Sequence, residues 1–477
     1  MIIVKNEKYL AYEQDIRELL NAFFPGEELS GKETGEAPSF VIDIDRITDP
    51  LSLSGVRFEE KSVIKKAVYE TVSGETGKTL PWGTLTGIKP VKLADKLLRE
   101  EGLSSPEAFR AIKERYLVSD EKAKLMLFIA EKENGLVSML PARGYSLYAG
   151  IPFCPTRCLY CSFTSNPLSV MGKHTGEYLD ALEKELESAV LCAKEMNGQE
   201  KLTPSTIYIG GGTPTALTAE ELSRLLTMID RFVERKGLLE YTCESGRPDS
   251  ITREKLAVLK DHGIERISIN PQTMNQKTLD LIGRRHTVKE TIDAFSLARS
   301  MGFSNINMDL IMGLPGETKE DVAVTLSEVE KLSPDNLTVH ALAVKRAARL
   351  STDHDPWKEY QRAEGKEAEE MTAMGAESAR RMGMEPYYLY RQKNMAGNQE
   401  NIGYARAGKE SLYNIIMMEG KQTVLGFGAG STTRLLSEEY DRMENIKDLA
   451  QYLLRIEELL AKKEAFYRKT GVFRTTV

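Results

Sequence analysis

Between residues 141 and 345 the chain alternates short apolar runs with longer stretches whose apolar positions keep helical spacing. The short runs are Ser146–Ile151, Thr206–Gly210, Leu238–Glu244, Glu265–Asn270, Ser304–Leu310 and Asn336–Ala343, and each reads as a buried strand. Strand and helix in alternation predict parallel βα units, so the fold class is α/β. Six strands suit a partial (β/α)6 barrel better than the eight of a closed one. In such arrays ligands gather at the carboxyl ends of the strands.

Residues 1–140 lack that rhythm and are expected to form a separate N-terminal α+β domain. Ile2–Val4, Pro38–Ile44 and Leu51–Phe58 read as strands there, and Tyr12–Phe24 and Glu60–Val72 as helices. The turn-rich stretch Leu80–Pro90 follows, with Trp82 shaping either a packed connector or a substrate lid, and then helices near Val91–Glu101, Ser105–Arg115 and Ser119–Asn134. Residues 346–477 are expected to form a mostly helical, mixed C-terminal domain covering the substrate. It holds a charged helical stretch, Trp357–Met384, broken at Pro386, and an amphipathic terminal helix, Ile446–Tyr467.

Composition narrows the function classes. The chain has 477 residues, 41% hydrophobic and 28% charged, ordinary values for a globular protein with ample core. A net charge of −7 argues against a broad nucleic-acid footprint, so an anionic partner needs a local basic patch. No stretch approaches the ~20 apolar residues of a membrane helix. The N-terminus lacks the features of a secretory signal. A cytoplasmic location without a membrane span is expected, and five cysteines there argue for free thiols rather than disulfides.

Three of those cysteines carry the chemistry. Cys154, Cys158 and Cys161 are separated by three and then two residues, just after the first strand. A zinc site would need a fourth ligand nearby, and the other cysteines, Cys192 and Cys243, are isolated and read as inert core residues. A cubane iron–sulfur cluster normally takes four thiolates, so three leave one iron open to a small molecule. One βα unit later, Gly210-Gly211-Gly212-Thr213-Pro214 follows a strand, where missing Cβ atoms let backbone approach a ligand.

The spacing Cys-x3-Cys-x2-Cys, with Tyr160 before the last cysteine, resembles the radical S-adenosylmethionine (SAM) superfamily. The flanking Tyr148-Ala-Gly-Ile-Pro-Phe-Cys narrows the resemblance to the oxygen-independent coproporphyrinogen III oxidase-like family. Tyr387-Tyr388-Leu389-Tyr390-Arg391-Gln392-Lys393 and the amide-rich run after it resemble a coproporphyrinogen dehydrogenase type within that family. The resemblance implies a [4Fe–4S] cluster on the three cysteines. It further implies a catalytic, SAM-contacting Tyr148 and SAM contacts from Tyr160, Gly211, Gly212, Thr213, Glu244, Gln272, Arg284, Asp309 and Ala343. Arg391, Lys393 and Arg346 are candidates for pairing with substrate propionates, with Lys345 and Arg349 near the last of these.

Three departures bear on the reaction. Phe163 stands where decarboxylating members carry a fourth cysteine. Gly150 stands where a histidine often precedes Ile-Pro-Phe-Cys. Glu400-Asn401-Ile-Gly-Tyr404-Ala405 lacks the histidine and tryptophan of the related heme chaperones. The implied activity is oxidative decarboxylation of coproporphyrinogen III propionates to vinyls, with a flavodoxin- or ferredoxin-like electron donor and a monomeric enzyme. The alternatives are a heme-binding or heme-delivery protein that keeps the cluster, and another radical SAM reaction on a porphyrin or heme.

Overall fold

The structure, a computed structural model, describes residues 2–25, 27–31, 39–48, 57–87, 89–196, 203–343, 366–392, 399–436 and 442–473. Lys345, Arg346, Arg349 and Lys393 lie outside the described residues, as does most of the strand expected over Leu51–Phe58. The chain divides into two units, residues 1–132 and 133–477.

In the first unit β1 (Ile2–Lys5) is the middle of a small parallel sheet, flanked by β2 (Leu29–Ser30) and β3 (Phe40–Asp43). Helices Glu13–Phe23 and Arg57–Thr76 cover it because Ile16, Leu19, Leu20 and Phe23 on one, and Ile64, Val68 and Val72 on the other, form apolar stripes that bury against the strands. Arg57 and Phe58 therefore begin a helix rather than end a strand. Trp82 is fully buried.

In chain order the second unit contains β4 (Gly144–Ile151), β5 (Phe153–Cys154), β6 (Asn166–Pro167), β7 (Thr203–Gly211), β8 (Glu240–Cys243), β9 (Arg266–Ser268), β10 (Ile306–Met312), β11 (Asn336–Ala341), β12 (Glu385–Tyr390), β13 (Asn401–Ala405), β14 (Thr423–Phe427), β15 (Thr432–Arg434) and β16 (Arg442–Glu444). The six predicted strands are β4, β7, β8, β9, β10 and β11, adjacent in that order and all parallel. Thr218, Thr287 and Thr318 each start a connecting helix with a capping box closed by Glu221, Glu290 and Asp321.

The segment past residue 345 does not form the separate domain expected for 346–477. A sheet of six parallel strands leaves unpaired backbone groups along both edges, and this segment pairs with both. β14 lies parallel to β4 and carries β15 and β16 outward, while β13 and β12 extend the sheet antiparallel beyond β11. The result is one open sheet of eleven strands among the described residues. The terminal helix is also broken, at Arg455, into Leu449–Leu454 and Ile456–Thr470.

Period-two alternation divides the central strands into two faces. Leu147, Ala149, Ile151, Ile207, Ile209, Cys243, Ile267, Met308, Leu310, Leu337 and Val339 are buried on one. Tyr148, Tyr208, Thr242, Arg266, Ser268, Asn307, Asp309, Thr338 and His340 share the other and line a cavity. A barrel filled for stability would bury branched apolar residues there. This one keeps polar side chains, which marks the concave face as a binding surface.

Candidate active site

The cysteine loop grows out of the end of β4 and is fixed on both sides by backbone hydrogen bonds. Thr213 N–H donates to the Phe153 carbonyl at 2.7 Å, Leu159 N–H to the Ile282 carbonyl at 3.1 Å, and Cys161 N–H to the Cys158 carbonyl at 3.3 Å. Cys154 and Cys158 are buried and Cys161 is half-buried. Cys154 Sγ is 3.4 Å from the Thr213 hydroxyl, and Cys158 Sγ faces two guanidinium groups, Arg247 Nη1 at 3.7 Å and Arg284 Nη1 at 3.9 Å.

Burial pushes the Cys154 thiol up to about 12, and burial likewise raises Cys161. Cys154 and Cys161 are thus neutral thiols that a metal must deprotonate on binding. All three lie on one short loop, 154–161. Among the described residues no three His, Cys, Asp or Glu side chains converge on one ion. A cubane takes its thiolates on separate irons, and three sulfur donors on one short loop fit it.

The glycine loop after β7 packs against the cysteine loop. Gly211 adopts φ +107° with its Cβ position 3.0 Å from the backbone of Ile151, and a Cβ on Gly212 would lie 2.6 Å from the Phe153 carbonyl and 3.0 Å from Cys154 Sγ. Only glycine lets the two loops approach this closely.

Beside the loops opens a cavity of about 530 Å³. Glu244, at the end of β8, accepts hydrogen bonds from the Tyr208 hydroxyl and the Gly211 N–H. Its pKa nevertheless rises to about 7, because burial outweighs those bonds and the Asp309 charge adds to it. Asp309, on β10, moves the other way. Burial raises it, but His340, Asn307 and Thr338 together hold it below the usual carboxylate range. Asn307 Nδ2 donates to Asp309 Oδ1 at 2.7 Å and His340 Nε2 lies 3.9 Å from the same oxygen. One carboxyl is therefore poised near neutrality and its neighbour is ionised.

Gln272 carries a backbone φ of +68°, rare for a side chain with a Cβ. Bonds on either side, to the Asp309 carbonyl and from the Ile311 N–H, both 3.0 Å, impose it. Its buried Oε1 has no hydrogen-bond partner and lines the cavity, as an acceptor awaiting a ligand would. Tyr148, Tyr208 and Tyr413 form a stacked aromatic wall, with the Tyr208 and Tyr413 centroids 4.2 Å apart and Tyr148 6.1 Å from Tyr413.

The structure brings Tyr148, Tyr160, Cys161, Gly211, Glu244, Gln272, Asp309 and Ala343 onto this one cavity. Gly212 and Thr213 meet Cys154 instead. Arg284 does not line it either. Its guanidinium binds the Tyr160 hydroxyl at 3.1 Å and the Gly246 and Asn270 carbonyls, and so orients the cysteine loop. Arg391, expected at the substrate carboxylates, is buried beside Glu400, and burial lowers its pKa to about 10. Gln392, not Arg391, reaches the cavity. Sequence reasoning missed Tyr208, Tyr413, Arg266, His340 and Arg247; for all but Tyr413 and Arg247, every-second-residue polarity along the strands was the available signal.

Comparison with known proteins places this geometry. Residues 148–329 match the radical SAM superfamily. The chain is 41% identical over 420 residues to the oxygen-independent coproporphyrinogen-III oxidase-like protein HemZ of Bacillus subtilis, covering 86% of this chain and 82% of that protein. It is 32% identical over 325 residues to the heme chaperone HemW of the same organism, covering 68% of this chain and 78% of that one. Among solved structures it resembles the radical SAM enzyme coproporphyrinogen III oxidase (HemN) of Escherichia coli, with a TM-score of 0.54 and 25% identity over 69% of this chain and 73% of that one.

Proposed function

The chain belongs to the oxygen-independent coproporphyrinogen III oxidase-like family of the radical SAM superfamily, and from that premise we propose that it oxidatively decarboxylates two propionates of coproporphyrinogen III to vinyls. The superfamily's cofactors are a [4Fe–4S] cluster and SAM, and the three thiols fit the former. When bound, these two supply a 5′-deoxyadenosyl radical, the species that takes a hydrogen atom from a propionate β-carbon.

Cys154, Cys158 and Cys161 would hold the cluster and, as three thiolates, would leave an iron open to SAM. Glu244, Asp309 and the Gln272 Oε1 would offer acceptors to SAM's donors, and Tyr160 would offer a ring to the adenine. Tyr148, which lines the same cavity as Gly211, would sit among the residues that hold SAM. A flavodoxin- or ferredoxin-like donor would supply the electron for SAM cleavage, and each propionate, having lost a hydrogen atom to the radical, would release carbon dioxide and pass one electron to a one-electron acceptor.

The observation that carries the reading is the gathering of Glu244, Gln272, Asp309 and Cys161 on one cavity. The substrate assignment draws on the 41% identical relative. The 32% identity to a heme chaperone supports a second reading, heme binding without turnover. One anaerobic experiment separates them. Reconstituted protein with SAM, reductant and coproporphyrinogen III is examined by mass spectrometry, and the product should have lost two molecules of carbon dioxide. No substrate conversion, together with a Soret shift on adding heme, would favour the chaperone reading and overturn the first.

A further inference from the structure

Each of the three thiols has a different environment. Cys154 has a hydroxyl, Thr213, and Cys161 feels Arg157, whereas Cys158 alone is the target of two buried guanidinium groups. Arg284 reaches it from just beyond the short helix Gln276–Leu281, and Arg247 from the loop after β8.

Arg247 is built to stay there. It is 3% exposed, and its Nε and Nη2 form a bidentate pair with Asp249 at 2.9 and 2.7 Å. Its remaining nitrogen, Nη1, is shared between the Thr156 hydroxyl at 3.1 Å and Cys158 Sγ at 3.7 Å. The turn itself is closed by Ser250, whose N–H and hydroxyl both donate to the Arg247 carbonyl. His286 is buried close by with neither ring nitrogen hydrogen-bonded, and burial followed by the Arg284 and Arg247 charges depresses its pKa to about 3.

We infer that Arg247 sets the reduction potential of the bound cluster through Cys158, with Asp249 tempering its charge. Reduction adds one electron to the cluster and its thiolates. An N–H donor and a positive charge at a ligand sulfur stabilise that added charge, so they raise the potential. Asp249 carries the opposite sign behind the guanidinium and offsets part of the effect. The two residues should therefore act in opposite directions, which a pair that merely braced the loop would not do. This inference rests on the cluster, not on the identity of the substrate.

The test is an EPR-monitored redox titration of the anaerobically reconstituted holoenzyme without SAM, with iron and sulfide content measured alongside. Arg247→Gln should lower the reduced-to-oxidised ratio at fixed poise about tenfold, a midpoint shift of about 59 mV to more negative values for a one-electron couple. Asp249→Asn, which leaves an acceptor for Arg247 but removes the offsetting charge, should shift the midpoint to more positive values. A fully loaded Arg247→Gln protein with an unchanged midpoint would overturn the inference, as would both variants moving the same way. If Arg247→Gln takes up no cluster, Asp249→Asn decides, and a midpoint that is unchanged or more negative counts against the inference.

Discussion

Replacing Glu244 with Gln should make the SAM-free protein more stable above neutral pH and a poorer SAM binder. Burial shifts this carboxyl from 4.5 to about 7, a difference of about 3 kcal/mol between its protonation states. The folded pKa lies above the unfolded one, so below pH 4.5 both states are protonated and folding carries no cost. As the pH rises through about 7 the folded protein must ionise a buried group, and the full cost is reached above that value. Gln removes this slope. Its amide can still accept from Tyr208 but offers one acceptor fewer to the Gly211 N–H, so the net gain falls below the ~3 kcal/mol ceiling. Thermal or urea unfolding of the SAM-free wild type and variant at pH 5 and pH 8 measures it. The variant's advantage should grow from about 1 kcal/mol or less at pH 5 to its full size at pH 8. Wild-type SAM affinity should rise with pH through neutrality, and the variant should bind about 10- to 100-fold more weakly with a flatter profile, the loss of one charge-assisted hydrogen bond. Equal destabilisation at both pH values, with SAM affinity unchanged, would refute the reasoning.

Two further substitutions probe the supports of the site. Lys463 and Glu185 form a fully buried ion pair at 2.6 Å, and Glu185 also binds Gly428 N–H, Asn445 and the Tyr452 hydroxyl, fastening the loop that leads to Gly430 on the cavity wall. Lys463→Met strands that carboxylate and should cost about 3–5 kcal/mol, read as a lower urea midpoint, with Glu185→Gln in the same chain restoring part of it. Gly212→Ala puts a methyl 2.6 Å from the Phe153 carbonyl and 3.0 Å from Cys154 Sγ. It should cut cluster loading, measured as iron per chain, and full loading would show that the two loops can separate without loss.

The six central strands were legible because parallel strands covered by helices are apolar enough to stand out, and the cysteine spacing was legible because its chemistry is local. The remainder depended on pairing between distant segments. Nothing local in Thr423–Phe427 announces that Gly426 will lie opposite Tyr148 or that Tyr413 will stack on Tyr208. His340 acquires meaning only through the register that sets Asp309 opposite Thr338. Arg391 misled for the converse reason. In sequence a cation among tyrosines resembles a propionate anchor, whereas in the fold Glu400 meets it in the interior. Arg247 gave no signal at all, since nothing local relates it to a cysteine 89 residues earlier.

The three-thiolate centre with its open corner is tested most directly by Mössbauer spectroscopy of the ⁵⁷Fe-reconstituted protein before and after adding SAM. Four irons should be present per chain, with SAM changing the parameters of one and leaving three as they were. Four sulfur-ligated irons indifferent to SAM, or a mononuclear site, would contradict the account.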